Sequence, residues 1–346
     1  MARRAGLPNA RITLEGVGKT DADLRAAVRA SASGEPLRWL AVESLDEVRA
    51  LAGWARDLPA GRGLDLLFRL NPEVSPETLA GLAVGAASSK FGMTADELSE
   101  AVELASLTPS LVPRGVHLHV GSQLRAVDAW RDAVRRGLAL VALLGGTRER
   151  FDTLDVGGGF PVISPAEAAP DPARFARELA PLLAAIPADR RPRRLAIEPG
   201  RAVVARAGSL LGRVLHVRDR GGRQVVLDVG MTELIRPALY GARHEIVALT
   251  SLGRTFDPDA AGLEPPAAAL EPALVEGPIC ESTDHLGEHP LPPLRRGDLV
   301  AIRDAGAYGA SLASTYNGRP RPAQVLVERS GVARLLRARG RLAGLG

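Results

Sequence analysis

LDVGGGF, from Leu154 to Phe160, sets three glycines directly after a short apolar run, and IEPGR, from Ile197 to Arg201, closes the next apolar run with an acid, a turn and a cation. Bare backbone amides after a strand can wrap a phosphate. A carboxylate followed by an arginine suits a protonated pyridine ring and an anion. Together they suggest a phosphorylated heterocycle held in loops that follow strands. Working outward, the same unit recurs through about residue 205. Candidate strands are Ile12 to Leu14, Leu37 to Val42, Leu64 to Leu70, Gly115 to Val120, Thr153 to Val156 and Leu195 to Ile197. Each ends in polar or glycine-rich residues (GVGKT, ESLDE, NPEVS, GSQ, GGGF, EPGR) before the next stretch, and longer Ala/Leu/Arg/Glu runs of helical period alternate with the strands. Chemistry gathered in the loops after parallel strands is the habit of (β/α)8 barrels and open α/β sheets.

Beyond residue 205 the helical period fades. Short strands are expected at Val214 to Arg218, Gln224 to Asp228, His244 to Leu249, Leu299 to Arg303 and Gln324 to Glu328, with an exposed Pro/Ala/acidic loop over 254 to 272. The expected organisation is a barrel-like α/β domain over 1–205 and a mostly β domain over 206–346, which agrees with the length of 346 residues. No apolar stretch is long enough to span a bilayer, no secretory signal follows Met1, and the lone Cys280 excludes an internal disulfide; a cytoplasmic protein is expected. All but Lys19 and Lys90 of the 44 basic residues are arginine, yet they are scattered and nearly balanced by 40 acids. With aromatics at 3%, nucleic-acid binding is disfavoured. The run from Arg329 to Arg341 reads as a solvated edge or helix.

Three other motifs carry less. GVGKT at Gly16 to Thr20 lacks the glycine a phosphate-binding P-loop needs, because position 13 is Thr13. HLGEH at His285 to His289 has zinc-protease spacing, but Gly287, Pro290, Pro292 and Pro293 argue against the helix it requires, leaving a solvated loop. His117 and His119, two apart on a strand, face one side, as metal ligands or as packed strand residues would.

HVGSQ (His119 to Gln123), LDVGGGF, IEPGR, RPALYG (Arg236 to Gly241), CESTD (Cys280 to Asp284) and GAYGASLASTYNGRPRPAQVLV (Gly306 to Val327) resemble, in order and spacing, the diaminopimelate decarboxylases. These belong to the alanine-racemase-like group of pyridoxal 5'-phosphate enzymes. The resemblance covers nearly the whole chain and implies a (β/α)8 barrel followed by a β domain. It implies conversion of meso-diaminopimelate to L-lysine and CO2, the last step of lysine biosynthesis, in a head-to-tail homodimer. His119 would stack on the cofactor ring, Ser122 and the backbone of Gly157, Gly158 and Gly159 would hold its phosphate, and Gly200 and Arg201 would also bind the cofactor. Glu198 would keep the ring nitrogen protonated, making the ring an electron sink. Arg201, Arg236 and Tyr240 would anchor the substrate, Glu281 would read its distal ammonium group, and Tyr308 would sit beside the cofactor. Cys280, supplied with Glu281 by the partner subunit, would protonate the carbon that loses CO2.

The chain departs from the family in one respect. The cofactor lysine of such enzymes lies in a Tyr-x-x-Lys-x-Asn strand ahead of the GVGKT-like loop, and no such segment is present. ARRAG reads as the last turn of a helix closed by Gly6, and six strands stand where a barrel has eight, so the first two strands are expected to be missing, as from a start codon placed too late. Upstream in-frame codons spelling that segment would support this; an in-frame stop would refute it. Two rivals remain: a non-catalytic homologue that regulates a true decarboxylase, and a decarboxylase acting on another amino acid.

Overall fold

The computed structural model describes residues 2–78, 81, 83–85, 89–162, 169–256 and 270–341. The chain folds as two compact units, Met1–Pro199 and Gly200–Gly346.

In the first unit, six parallel strands lie in sequence order: β1 (Thr13–Leu14), β2 (Trp39–Val42), β3 (Leu64–Leu70), β4 (Leu111–Leu118), β5 (Thr153–Asp155) and β6 (Arg194–Ala196). Helices α1 (Asp21–Ala32), α2 (Leu45–Ala55), α3 (Ala95–Ser106), α4 (Asp128–Gly145) and α5 (Pro172–Ala184) connect them in a curled half-barrel. GVGKT and ESLDE start the first two helices directly, through Thr20 and Ser44, while Thr94 and Asp171 cap α3 and α5 farther from the strand ends. Thr20 and Thr94 form reciprocal caps with Asp23 and Glu97, Ser44 accepts from the Glu47 amide, and Asp171 caps a helix that opens on Pro172. The central strands read as near-continuous apolar runs because both their faces are covered. Leu66, Leu67 and Phe68 of β3 are fully buried, as are the helix residues Val48, Leu51, Leu98 and Val102. Each such side chain stabilises the unit by about 1.5–3 kcal/mol. The edge strand β6 is different, with Leu195 and Ile197 exposed at its end. At the other end of the chain, Ala2–Ala5 form a single 3-10 turn closed by Gly6 at φ +82°.

The second unit holds α6 (Gly200–Val204), β7 (Leu210–Asp219), β8 (Arg223–Leu227), α7 (Arg236–Tyr240), β9 (Ile246–Ala248), β10 (Thr250–Ser251), β11 (Arg254–Thr255), β12 (Glu271–Glu276), β13 (His285–Leu291), β14 (Leu299–Ile302), α8 (Gly309–Leu312), β15 (Gln324–Val327) and β16 (Ala333–Arg337). Its main sheet runs β13-β12-β8-β7-β14-β9, antiparallel except for β12 with β8, around a core of Val214, Val225, Leu227, Val275, Val300 and Ile302. Residues 257–269 of the expected loop lie outside the described residues; Arg254 and Thr255 before them form β11, and Glu271 opens β12. The arginine-rich tail contributes the exposed strand β16.

HLGEH is not a solvated loop but β13, whose burial alternates from exposed His285 through buried Leu286 and His289 to buried Leu291. Its glycine and prolines are tolerated because β13 is a sheet edge: Gly287 takes φ +98° next to a register shift, and Pro290 is exposed. Antiparallel pairing with β12 decided this segment against its breaker residues.

Candidate active site

In the first unit the C-terminal ends of β1, β4 and β6 bring together Glu15, His117 and Glu198, one ligand-type atom of each lying within 4.8 Å of the others. β1 and β6 are opposite edges of the sheet, so it is the curl that closes this cluster. His117 Nε2 approaches Glu198 Oε1 to 3.3 Å, and His119 Nδ1 approaches Glu198 Oε2 to 3.6 Å. The Glu198 amide donates to the Gly157 carbonyl at 2.9 Å, which locks the acid to the glycine turn. Burial works to raise the Glu198 carboxyl, but the close approach of His117, His119 and Glu15 outweighs it and holds the group ionised. Glu15 takes the opposite share: burial, reinforced by Glu198, pushes it up to about 8. Burial also opposes a charge on His117, yet Glu198, Asp155 and Glu15 raise its pKa.

Linkage follows in sign. A carboxyl raised in the folded state binds a proton that the unfolded chain releases near 4.5, so its contribution is complete below that pH and is lost as pH rises through about 8. His117, also raised, acts in the same direction. The wild-type melting temperature is expected to fall between pH 5 and 8, and Glu15→Gln to flatten that decline. A scanning-calorimetry series with identical slopes in both proteins would refute the shared proton.

LDVGGGF forms the turn after β5. The Gly157 amide donates to Asp155 Oδ1 at 2.9 Å, and the Gly158 amide donates to His119 Nδ1 at 3.1 Å, which fixes the imidazole's plane. Phe160 packs edge-on against Phe175 of α5 at 4.9 Å, and Phe175 against Trp130 of α4 at 5.1 Å, anchoring the far side of the turn. Thr78 donates its hydroxyl to the Ser122 carbonyl, holding the HVGSQ loop. Glu198 Oε1 is buried as an atom and has no hydrogen-bond partner, and the side chains of Glu198 and His119 remain 28% and 26% exposed. An acceptor of this kind beside an orientated imidazole and a glycine turn fits a protonated pyridine and its phosphate. The lysines do not extend the fit to a covalent anchor. Lys19 is buried, with Nζ 3.1 Å from Glu47 and 2.5 Å from the Gly16 carbonyl, and Lys90 is exposed beside the Phe91 ring.

In the second unit, Arg201 is buried and its guanidinium lies 4.7 Å from the Tyr308 ring centroid. Burial lowers the Arg201 pKa, while Tyr308 and Tyr240 act to raise it. Tyr308 is held at φ +64°, a conformation that costs a non-glycine residue on the order of 1–3 kcal/mol and marks functional positions. Arg236, also buried, donates from Nη1 to His244 Nε2 at 2.8 Å, while His244 Nδ1 faces the Arg303 carbonyl at 3.0 Å. An arginine cannot accept, so Nε2 carries the lone pair and Nδ1 the proton. Burial pushes His244 down to about 4, and the nearby arginines add to this, so it stays neutral.

Cys280 and Glu281 are exposed at the surface of this unit. Tyr316 donates its hydroxyl to Glu281, and Asn317 Nδ2 stands 3.9 Å from Cys280 Sγ. Buried Asp284 shapes their loop by accepting from the Ile279 amide at 2.7 Å and the Met231 amide at 2.6 Å. Glu15, His244, Tyr316 and Asn317 were not singled out as site residues by the sequence. Glu15 directly precedes GVGKT, and Tyr316 and Asn317 sit inside a quoted motif, whereas His244 read only as a strand residue.

The family described as pyridoxal-dependent decarboxylase, pyridoxal binding domain, matches residues 1–205. Diaminopimelate decarboxylase of Aquifex aeolicus is 35% identical over 344 residues, 98% of this chain and 75% of the relative. That of Actinosynnema pretiosum is 40% identical, covering 97% of this chain and 72% of the relative. The crystal structure of diaminopimelate decarboxylase from Helicobacter pylori, complexed with L-lysine, superposes with a TM-score of 0.85 at 30% identity over 99% of this chain and 80% of that one. With both units matched in sequence and in fold, the chain belongs to the pyridoxal-dependent decarboxylases, in the diaminopimelate decarboxylase branch.

Proposed function

We propose that this chain serves the decarboxylation of meso-2,6-diaminopimelate to L-lysine and CO2 with pyridoxal 5'-phosphate. The observation that carries the proposal is Glu198, an ionised carboxylate with one unpartnered oxygen beside the oriented His119. When bound, the cofactor supplies an electron sink for the pair left behind as CO2 departs. Glu198 would hold the proton on the ring nitrogen, and His119 would contact the ring. Ser122, the Gly157–Gly159 turn, Gly200 and Arg201 take the phosphate side.

Arg201, Arg236, Tyr240 and Tyr308 bind the substrate's anionic and amino ends, and Arg236 is aimed by neutral His244. Glu281 receives the distal ammonium, and Cys280 delivers a proton to the carbon that has lost CO2. Their exposed positions suit a head-to-tail homodimer in which each subunit completes its partner's site. CO2 release from meso-diaminopimelate, L-lysine and L-ornithine, assayed side by side with added cofactor, is expected only for the first. Equal rates with ornithine would overturn the substrate assignment.

His244 supplies a further expectation. A hydrogen bond to a charged group contributes about 1.5–3 kcal/mol, so His244→Ala is expected to raise KM for diaminopimelate about tenfold or more, with a smaller change in kcat. An unchanged KM would remove it as the residue that orients Arg236.

The non-catalytic reading draws on one observation, the placement of Lys19 and Lys90. It is opposed by Arg201, Arg236, Tyr240, Cys280 and Glu281, which a regulator has no need to keep. Borohydride reduction of the chain with pyridoxal phosphate, followed by peptide mapping, is expected to leave both lysines unmodified. A stoichiometric adduct on either would show a relocated anchor.

A further inference from the structure

We infer that Tyr316 is a positioning residue that determines specificity: it holds the Glu281 carboxylate in the setting that receives a distal ammonium group, and so selects substrates that carry one. This role for Tyr316 rests on the one proposed above for Glu281. Tyr316 donates its phenolic hydroxyl to Glu281 Oε1, and Thr283 donates from Oγ1 to Glu281 Oε2 at 3.2 Å. An ionised carboxylate offers about four lone-pair sites, and an ammonium brings three donors and no acceptor. One hydroxyl on each oxygen therefore leaves a site on each oxygen for the N–H groups of a ligand.

The two loops that meet at this contact hang from one stretch of chain, residues 228–233, just after β8. On one side, buried Asp284 accepts from the Met231 amide at 2.6 Å and the Ile279 amide at 2.7 Å, and its carbonyl accepts from the Gly277 amide at 2.8 Å. On the other, the Ser314 amide donates to the Thr232 carbonyl at 3.0 Å, and Arg319 donates to the Asp228 carbonyl and stands 3.4 Å from buried Glu233. The Tyr316 amide donates to the Ser314 hydroxyl at 3.3 Å. Beyond it the chain turns through Asn317 at φ +57° and Gly318 at φ +70°, and Asn317 Nδ2 stands 3.9 Å from Cys280 Sγ. Consecutive residues of one loop thus address consecutive residues of the other, 316 to 281 and 317 to 280. A lone touch between two surface side chains has no such register.

Glu281 is exposed, and an exposed glutamate left to itself spreads over many rotamers. Donors fixed to an anchored loop remove that freedom before the ligand arrives, which is how a binding group is kept in its productive geometry. The hydrogen bond to Glu281 raises the Tyr316 pKa, so the phenol keeps its proton, and its part as donor, wherever a substrate amine is charged. Phenylalanine in its place keeps the ring and loses only the hydroxyl. Because Tyr316 is 51% exposed, that substitution opens no cavity in the core of the unit.

The test is calorimetric titration of the purified full chain, saturated with 4'-deoxypyridoxine phosphate, which lacks the aldehyde that would bond to an amine. The two probes are L-lysine and L-norleucine, which has the same carbon chain without the distal ammonium. The parent protein is expected to prefer L-lysine. Tyr316→Phe is expected to weaken L-lysine binding about tenfold, the scale of one hydrogen bond to a charged group, and to leave L-norleucine binding unchanged. Glu281→Gln is expected to abolish the preference. A preference lost in Glu281→Gln but intact in Tyr316→Phe would overturn the role of Tyr316 and leave Glu281 standing. No preference in the parent, or one that survives Glu281→Gln, would remove the reading of Glu281 and that of Tyr316 with it. The contact itself is read without any ligand, from the absorbance of the three tyrosines as pH is raised. One phenol is expected to ionise at lower pH in Glu281→Gln than in the parent, and identical titrations would overturn the contact.

Discussion

Glu198→Ala is expected to lower CO2 release from meso-diaminopimelate by at least about 10²–10³-fold, the scale of removing one preorganised electrostatic partner from a reacting centre. The physical chain is short. A protonated ring nitrogen would strengthen the cofactor's hold on the electron pair left behind as CO2 departs, and an ionised neighbour would keep that nitrogen protonated. Glu198 stays ionised despite burial because the imidazoles of His117 and His119 and the carboxyl of Glu15 lie against it and favour its charge. Removing it also strips the buried His117 of its main counter-charge, so the imidazole is expected to titrate lower in the variant. Glu198→Gln separates the two effects. It preserves shape and hydrogen bonding but not charge, so it is expected to keep the fold by circular dichroism while losing turnover. Affinity for 4'-deoxypyridoxine phosphate, expected to fall at least tenfold in both variants, gives a readout that does not depend on catalysis. Turnover above a tenth of the parent protein would end the assignment.

Gly157→Ala is expected to cost the fold a large share of its stability. Gly157 adopts φ +69°, and a Cβ there would stand 2.0 Å from the Leu118 carbonyl oxygen, with the backbone of His119 also close at 3.1 Å. The obstacle is main chain belonging to the end of β4, which cannot swing aside as a side-chain tip could. Left-handed strain of about 1–2 kcal/mol and overpacking of about 1–3 kcal/mol together suggest a loss of about 2–5 kcal/mol. Gly200→Ala is the matched control, because nothing lies within 4 Å of a Cβ at that position and its φ is ordinary. Urea unfolding of the two variants is expected to show a large drop in midpoint for the first and almost none for the second. Equal midpoints would mean that the glycine turn does not need its close approach to β4.

Much of the first unit was legible in the chain. All six parallel strands lie on the apolar runs expected for them, because strand and helix periods are written in neighbouring residues. The second unit was less legible. β12 and β13 carry prolines and a glycine, and their strand character comes from pairing with each other, which no local signal records. The functional residues divide in the same way. His119, Glu198, Arg201, Arg236, Tyr240, Cys280, Glu281 and Tyr308 sit in motifs whose order and spacing marked them. Glu15 and His244 do not, since each gains its role from a neighbour distant in sequence.

The sequence by itself determined the succession of strands and helices, the family and the residue types offered to a cofactor, because these depend on patterns within a few dozen residues. The tertiary structure alone decided which of those residues share a proton or a lone pair. Glu15 and Glu198 are 183 positions apart, as their numbers give. They meet because the sheet curls until its two edge strands present their ends to each other, and that curvature is a property of the packed whole.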